Sequence, residues 1–242
     1  KYLHQSIKTM NIKTLVCVGV ALSLGVAGLS AADIVGKVTF KGTQPAERVL
    51  PLDPQCGKLH PNDKPTTRFY VVGSGGELAD VFVSLDGITG KSKGPTLPPA
   101  VLDQKGCEYV PYVMAIQSGQ MLKVKNSDPL LHNVHPTPKP GTKNKEANRA
   151  QLPNSPDLEF LFPDAEEFLR FKCDVHPWMF AYVNVVDHPY FDVTNEKGTF
   201  KIADVPPGKY TITAKHRKAG DVSKEVEVKD ANVTVEFVIE LK

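Results

Sequence analysis

Alternation of apolar and polar residues with a period of two recurs along most of this chain, the pattern of a strand with one buried face. Ile34, Val38 and Phe40 share a face, as do Val81, Val83 and Leu85. Leu122 and Val124 alternate with Lys123 and Lys125; Leu169, Phe171 and Cys173 alternate with Phe168, Arg170 and Lys172; Ala181, Val183 and Val185 follow. Phe200 and Ile202, Tyr210 and Ile212, Val226 and Val228, then Val233, Val235, Phe237 and Ile239 repeat the pattern. Asn195-Glu196-Lys197-Gly198, Pro206-Pro207-Gly208 and Lys218-Ala219-Gly220-Asp221 are turn sequences between them. With 20 prolines, 18 glycines and few helix-periodic stretches in 242 residues, a helical bundle is excluded. The chain reads as all-β, one or two sandwiches.

The first 32 residues read as an address rather than as fold. Met10 is the natural start, Lys13 a basic flank, Leu15 to Leu29 an apolar run, and Ser30-Ala31-Ala32 a cleavage sequence before Asp33. The run falls short of the roughly 20 residues needed to span a bilayer, so an uncleaved anchor is the weaker reading. The expectation is a secretory signal cut near Ala32, a periplasmic or otherwise exported protein, and no later membrane span. Lys1, Lys8 and Lys13 meet no acid in this segment, so the formal charge of +2 becomes −1 for the remainder. Nothing there suggests nucleic-acid binding.

Beyond Cys17, three cysteines remain for an oxidising compartment: Cys56, Cys107 and Cys173. One of them is free, paired between chains, or occupied by something other than sulfur. The simplest expectation is a Cys56–Cys107 disulfide with Cys173 reserved. No C-x-x-C-H occurs, which excludes covalent haem.

Cys173 opens the sequence Cys173-Asp174-Val175-His176-Pro177-Trp178-Met179, and His132-Asn133-Val134-His135 lies some 40 residues upstream. A thiolate, two imidazoles and a thioether form the donor set of a blue-copper site, a His₂Cys plane with a weak axial Met. Cys173 follows the inward face of its strand, the short loop after it can return His176 and Met179 to the same point, and His132 would arrive from a neighbouring strand. Such a set suits both copper oxidation states, which lowers the reorganisation required for electron transfer. His135, three residues from His132, points to the opposite face of a strand and is expected at the surface or beside the ligands. His60 and His188 read as loop residues.

The C-x-x-H-x-x-M loop with its upstream H-N-V-H resembles the cupredoxins, with ligand-loop spacing most like the amicyanins. Nearly everything after Asp33 is similar to exported bacterial proteins of the methylamine-utilisation or plastocyanin-like type. These pair a cupredoxin-like Greek-key sandwich with a smaller carboxypeptidase-regulatory-like (transthyretin-like) sandwich, whose hairpin signature Gly198-Thr199-Phe200 to Gly208-Lys209-Tyr210 resembles. The resemblance implies one type 1 copper on His132, Cys173, His176 and Met179, and hydrogen bonding between the ligand loops by Asn133. It further implies an exposed electron port at His176, with Pro177, Trp178 and Leu131 (or Leu130) as an apolar docking rim. The long amino-terminal region and the Pro136–Pro156 loop have no counterpart in small cupredoxins.

The expected organisation is a copper domain over 33–187, amino-terminal extension included, and a second sandwich over 188–242. About 55 residues bury too little apolar surface to be comfortable alone, so the latter is expected to borrow a strand such as 34–40. Gly87–Pro99 and Pro136–Pro156 read as solvated loops. Gly90-Lys91-Ser92-Lys93-Gly94 matches a nucleophile elbow, but Pro95, Pro98 and Pro99 forbid the helix it requires. The chain is thus expected to be no enzyme but an exported one-electron carrier between redox partners such as a cytochrome c, a dehydrogenase or an oxidase. The alternative is periplasmic copper sequestration or delivery by the same ligands. Competing readings of the donors are a structural thiol, zinc, or a metal incidental to an adhesive sandwich.

Overall fold

The computed structural model describes residues 30–241, so the apolar run of the expected signal lies outside the described residues. The strands are β1 (Ala32–Lys41), β2 (Phe82–Leu85), β3 (Ala100–Gln104), β4 (Tyr109–Val110), β5 (Val113–Gln117), β6 (Leu122–Asn126), β7 (His132–Thr137) and β8 (Arg149–Gln151). They continue with β9 (Leu158–Phe160), β10 (Glu166–Lys172), β11 (Phe180–Val186), β12 (Phe191–Val193), β13 (Thr199–Val205), β14 (Gly208–His216), β15 (Gly220–Val228) and β16 (Val233–Glu240). One short helix, α1 (Pro54–Gly57), is capped by the Asp53 carboxylate, which accepts from the Gln55 and Cys56 amides. The described chain is all-β, and among the described residues no helix is long and apolar enough to cross a membrane.

Four sheets form two layered cores. Sheet β5-β11-β10-β7-β8 and sheet β4-β3-β6-β9 enclose Leu102, Leu122, Val124, Val134, Leu169, Phe171 and Val183. Sheet β13-β1-β16 and sheet β12-β2-β14-β15 enclose Ile34, Val38, Val83, Leu85, Ile202, Ile212 and Phe237. β1 lies between β13, to which it is antiparallel, and β16, to which it is parallel from Ile34–Val233 to Lys41–Glu240. β2 pairs with β12 and β14, so Leu78 to Leu85 pack in this second core although the sequence reading grouped them with the copper module. The reason is facial: Val81, Val83 and Leu85 line the same core as Ile212 and Ala214, which pair beside Leu85 and Val83 in that sheet.

Polar contacts join the two halves. Arg217 donates to the Tyr112 hydroxyl at 3.0 Å while its guanidinium sits 4.2 Å from the centre of the Tyr182 ring. Lys215 pairs with Glu167.

Both expected loops are more structured than their composition implies. Ser92 donates to the Ser118 carbonyl at 2.7 Å and the Gln117 side chain accepts from the Lys93 amide, pinning the first loop to the end of β5. The second contains β8, which pairs with β7 opposite His132 and Asn133. Gln151 there is buried and accepts from the Gln104 amide group at 2.6 Å.

A methyl group on Gly36, in the middle of β1, would lie 1.9 Å from the Val235 carbonyl oxygen and 2.5 Å from the Phe200 ring. Gly36→Ala should therefore cost roughly 2–3 kcal/mol in urea denaturation; Gly57→Ala, whose added carbon meets nothing within 4 Å, should be near neutral.

Burial, aided by the neighbouring Arg217 charge, lowers the buried His216 imidazole to about 4. Its Nδ1 accepts from the Ala219 amide at 3.0 Å, a role only the neutral ring can fill. The unfolded chain takes up this proton near pH 6.5 and the native chain only near 4. Its contribution to stability is thus complete above pH 6.5 and lost as the pH falls toward 4. Denaturation curves at pH 7.5 and 4.5 should show a loss that His216→Gln lacks, of order 3 kcal/mol.

Candidate metal centre

Strand alternation delivers Leu169 and Phe171 of β10 into the first core, and Cys173 just beyond the strand keeps that face and is buried. The turn that follows is closed by the Met179 amide donating to the His176 carbonyl at 2.9 Å and the Cys173 amide donating to the Met179 carbonyl at 3.2 Å. It returns the chain into β11 and brings His176 back over Cys173. His132 enters as the first residue of β7, which pairs with β10 through His135–Lys172.

The donor atoms of His132, Cys173 and His176 all lie within 4.8 Å of one another, and all three residues are buried. His132 Nδ1 and His176 Nδ1 are 2.9 Å apart, and Cys173 Sγ is 3.7 Å from His176 Nδ1. Met179 is buried in the same core, on the same turn. His135 turns away, as a strand requires of a residue three positions on. It is half-buried, with Nδ1 2.6 Å from Asp174 and Nε2 2.7 Å from Glu146.

Asn133 fastens one ligand segment to the other. Its Oδ1 accepts from the Asp174 amide at 2.6 Å and the Val175 amide at 3.3 Å. Its own amide donates to Cys173 Sγ at 3.4 Å. Tyr109 completes the clamp, its hydroxyl within reach of the Asn133 carbonyl at 3.0 Å and the Lys172 carbonyl at 3.3 Å. Burial and the nearby Cys173 sulfur hold that phenol well above its usual range, so it stays a donor.

Sequence reasoning missed Asp128. Its Oδ2 lies 2.9 Å from His132 Nε2 and accepts from the Cys107 amide at 2.8 Å, while Oδ1 accepts from the Gly106 amide at 2.6 Å. Engaging Nε2 leaves Nδ1 of the neutral ring as the face offered inward, the tautomer a metal needs. The signal present in the sequence was an acid four residues before the histidine, in an Asp-Pro step that also reads as a turn.

Charge at the centre is coupled. Burial opposes ionisation throughout, yet the Asp128 carboxylate and the Cys173 sulfur raise His132 above the ordinary histidine range. Cys173 is lowered against its burial by His132 and by the amides of Asn133, His176 and Val175. Burial and the His132 charge lower His176, which stays a neutral donor. A thiol eased toward ionisation in this way, held among imidazoles, suits a cation.

Cys56 and Cys107 form a disulfide with Cα atoms 5.8 Å apart, leaving Cys173 as the free cysteine among the described residues. The bond sits against the imidazoles: the sulfurs of Cys56 and Cys107 and a donor atom of His176 fall within 4.8 Å, and so do donors of Cys107, Asp128 and His132. This corrects the expectation of an exposed port at His176, which is 4% exposed. Asp53 Oδ2 lies 3.6 Å from its Nε2, and α1 with the disulfide covers the edge that the resemblance left open. Of the expected rim, Leu131 and Pro177 are exposed and Trp178 is half-buried. His60, expected to be an unengaged loop residue, bridges Asp63 at 2.9 Å and the Gly106 carbonyl at 2.7 Å, bracing this cover.

No protein-family model matches the chain, and no curated protein matches it. Among solved structures, a copper-containing nitrite reductase from Thermus scotoductus SA-01 aligns at 18% identity and a TM-score of 0.33, over 36% of this chain and 22% of that one. A novel purple cupredoxin from Nitrosopumilus maritimus aligns at 20% identity and 0.30, over 36% of this chain and 98% of its own. An oxidised proline-to-glycine mutant of amicyanin aligns at 16% identity and 0.32, over 43% and 97% respectively. The chain therefore spans less than a quarter of the reductase, and the two small proteins align with less than half of the chain.

Asn133→Ala removes the acceptor of the Asp174 and Val175 amides, a loss of about 2–3 kcal/mol. Thermal denaturation of the metal-free protein should register it, whereas Asn148→Ala, at the exposed end of the same network, should cost well under 1 kcal/mol.

Proposed function

We propose that this chain is an exported protein that holds one copper ion and passes single electrons between redox partners. His132, Cys173 and His176 would bind the metal, with Met179 as the weak fourth donor. One observation carries the reading: Nδ1 of two buried imidazoles and one buried thiol sulfur converge within 4.8 Å of one another. The donors fit copper by chemistry, since sulfur with two neutral imidazoles suits both of its common oxidation states.

When bound, the copper would supply a one-electron couple; the protein supplies a fixed frame around it. Asn133 and Tyr109 lock the two donor segments together, so neither imidazole nor sulfur has freedom to rearrange as charge changes. Asp128 keeps the His132 ring oriented, and the Asn133 amide donates to sulfur, tempering its basicity. Burial keeps water from the donors. The cover over His176 favours a retained ion over one handed to an acceptor, which is the reason to prefer the carrier to sequestration or delivery. Partners remain a matter of proposal: redox proteins of the cytochrome c, dehydrogenase or oxidase kind.

Metal-free protein titrated with Cu(II) should take up one equivalent and turn intensely coloured through sulfur-to-copper charge transfer. Cys173→Ser should bind copper without that band. Voltammetry of the loaded protein should be a reversible one-electron wave. A colourless adduct sinks the reading; irreversible waves with transfer of copper to an apo-acceptor favour delivery instead.

A further inference from the structure

We infer that Trp178, and not His176, is where the electron enters and leaves; this rests on the carrier reading above. The outer edge of His176 is shut by three things. Asp53 faces its Nε2 at 3.6 Å, the Cys56–Cys107 disulfide lies against the ring, and both cysteines are themselves fully buried. A redox reagent cannot touch this imidazole without displacing α1.

The next residue but one offers the way out. The Trp178 ring lies 5.2 Å from the His176 ring, centre to centre, at 42°. Its Nε1–H donates to the Cys107 carbonyl at 3.1 Å, so the disulfide that shuts one exit also fixes the indole that forms the other. Beyond the indole is an apolar, aromatic cavity of about 400 Å³, walled by Leu50, Pro51, Phe69, Tyr112 and Phe180. A route from donor imidazole to accessible space therefore runs through two adjacent rings and ends in that cavity. The amino-terminal extension builds both the cover (Asp53, Cys56) and the far wall of the cavity (Leu50, Pro51, Phe69). It closes the port on one side of the ligand loop and shapes a new one on the other.

The test uses the full copper-loaded chain in its Cu(I) form, oxidised by ferricyanide in a stopped-flow instrument. One electron passes from Cu(I) to the Fe(III) complex, giving Cu(II) and ferrocyanide, with no bond made or broken and no proton moved. Trp178→Leu should keep its copper and its colour yet react on the order of tenfold more slowly, and Trp178→Phe, which keeps a ring, should lie between. Adding Cys56→Ser and Cys107→Ser to Trp178→Leu should restore the rate by baring His176. A readout without metal accompanies these. Trp178 is the chain's one tryptophan, and its fluorescence in the metal-free protein should be quenched by iodide while His176 resists acylation by diethyl pyrocarbonate. An unchanged rate in a coloured Trp178→Leu protein, an unquenched indole, or a readily acylated His176 overturns the inference. Wild-type protein that binds copper without colour overturns the carrier reading and takes this inference with it.

Discussion

The side-chain amide of Asn133 holds the proposed centre together. Its oxygen receives two amides from the turn that carries His176, and its backbone amide reaches the sulfur of Cys173. Without it, the start of β7 and the turn after β10 would keep the ladder that ends at His135–Lys172, the His135–Asp174 contact and the Tyr109 bridge, none of which holds the amides of that turn. Two strands can be neighbours and still let their ends drift by an ångström. An Asn in this position converts proximity into fixed distances, because its own side chain is buried and its oxygen is shared by two amides of the facing turn. The hydroxyl of Tyr109 and the carboxylate of Asp128 extend the same restraint to the outer side of both segments.

Stability and chemistry here pull against each other. His132, His176, Asp128 and Cys173 are all buried, and each would resist ionisation if placed there alone. Together they neutralise one another: carboxylate against imidazole, imidazole against sulfur, backbone amides against both anions. A cation bound between them, as proposed, would relieve the remaining imbalance, so the cost of the cluster in the metal-free fold and its proposed affinity for metal would share one origin.

Period-two patterning made most of the strands legible, because a sandwich strand must bury one face and wet the other. It failed where burial was not one-sided. β8, Arg149 to Gln151, is three residues of mixed polarity whose only buried member is a glutamine satisfied by Gln104. In β10 the alternation slips at Phe168, which takes a positive φ of 54° as the ladder shifts between Glu166 and Leu169. Glu166 is thereby turned inward to Asn144, which no count of alternating residues foretells. That His132, Cys173 and His176 converge was legible from their spacing, since a strand end and a tight turn leave few places for them. The cover over His176 was not. It is made by residues some 120 positions away, brought over by a disulfide that spans 51 residues, and nothing local in either segment marks the other as its neighbour.

β1 has a further consequence. Its ten residues are the middle strand of their sheet, hydrogen-bonded on both sides. A shortened chain starting after them would leave β13 and β16 with two raw backbone edges facing a strand-wide slot. Such a slot accepts the first well-patterned segment available, and at high concentration that segment is the equivalent strand of another molecule. Trimming this protein from its front would thus turn the interior of that sheet into an invitation for strand exchange.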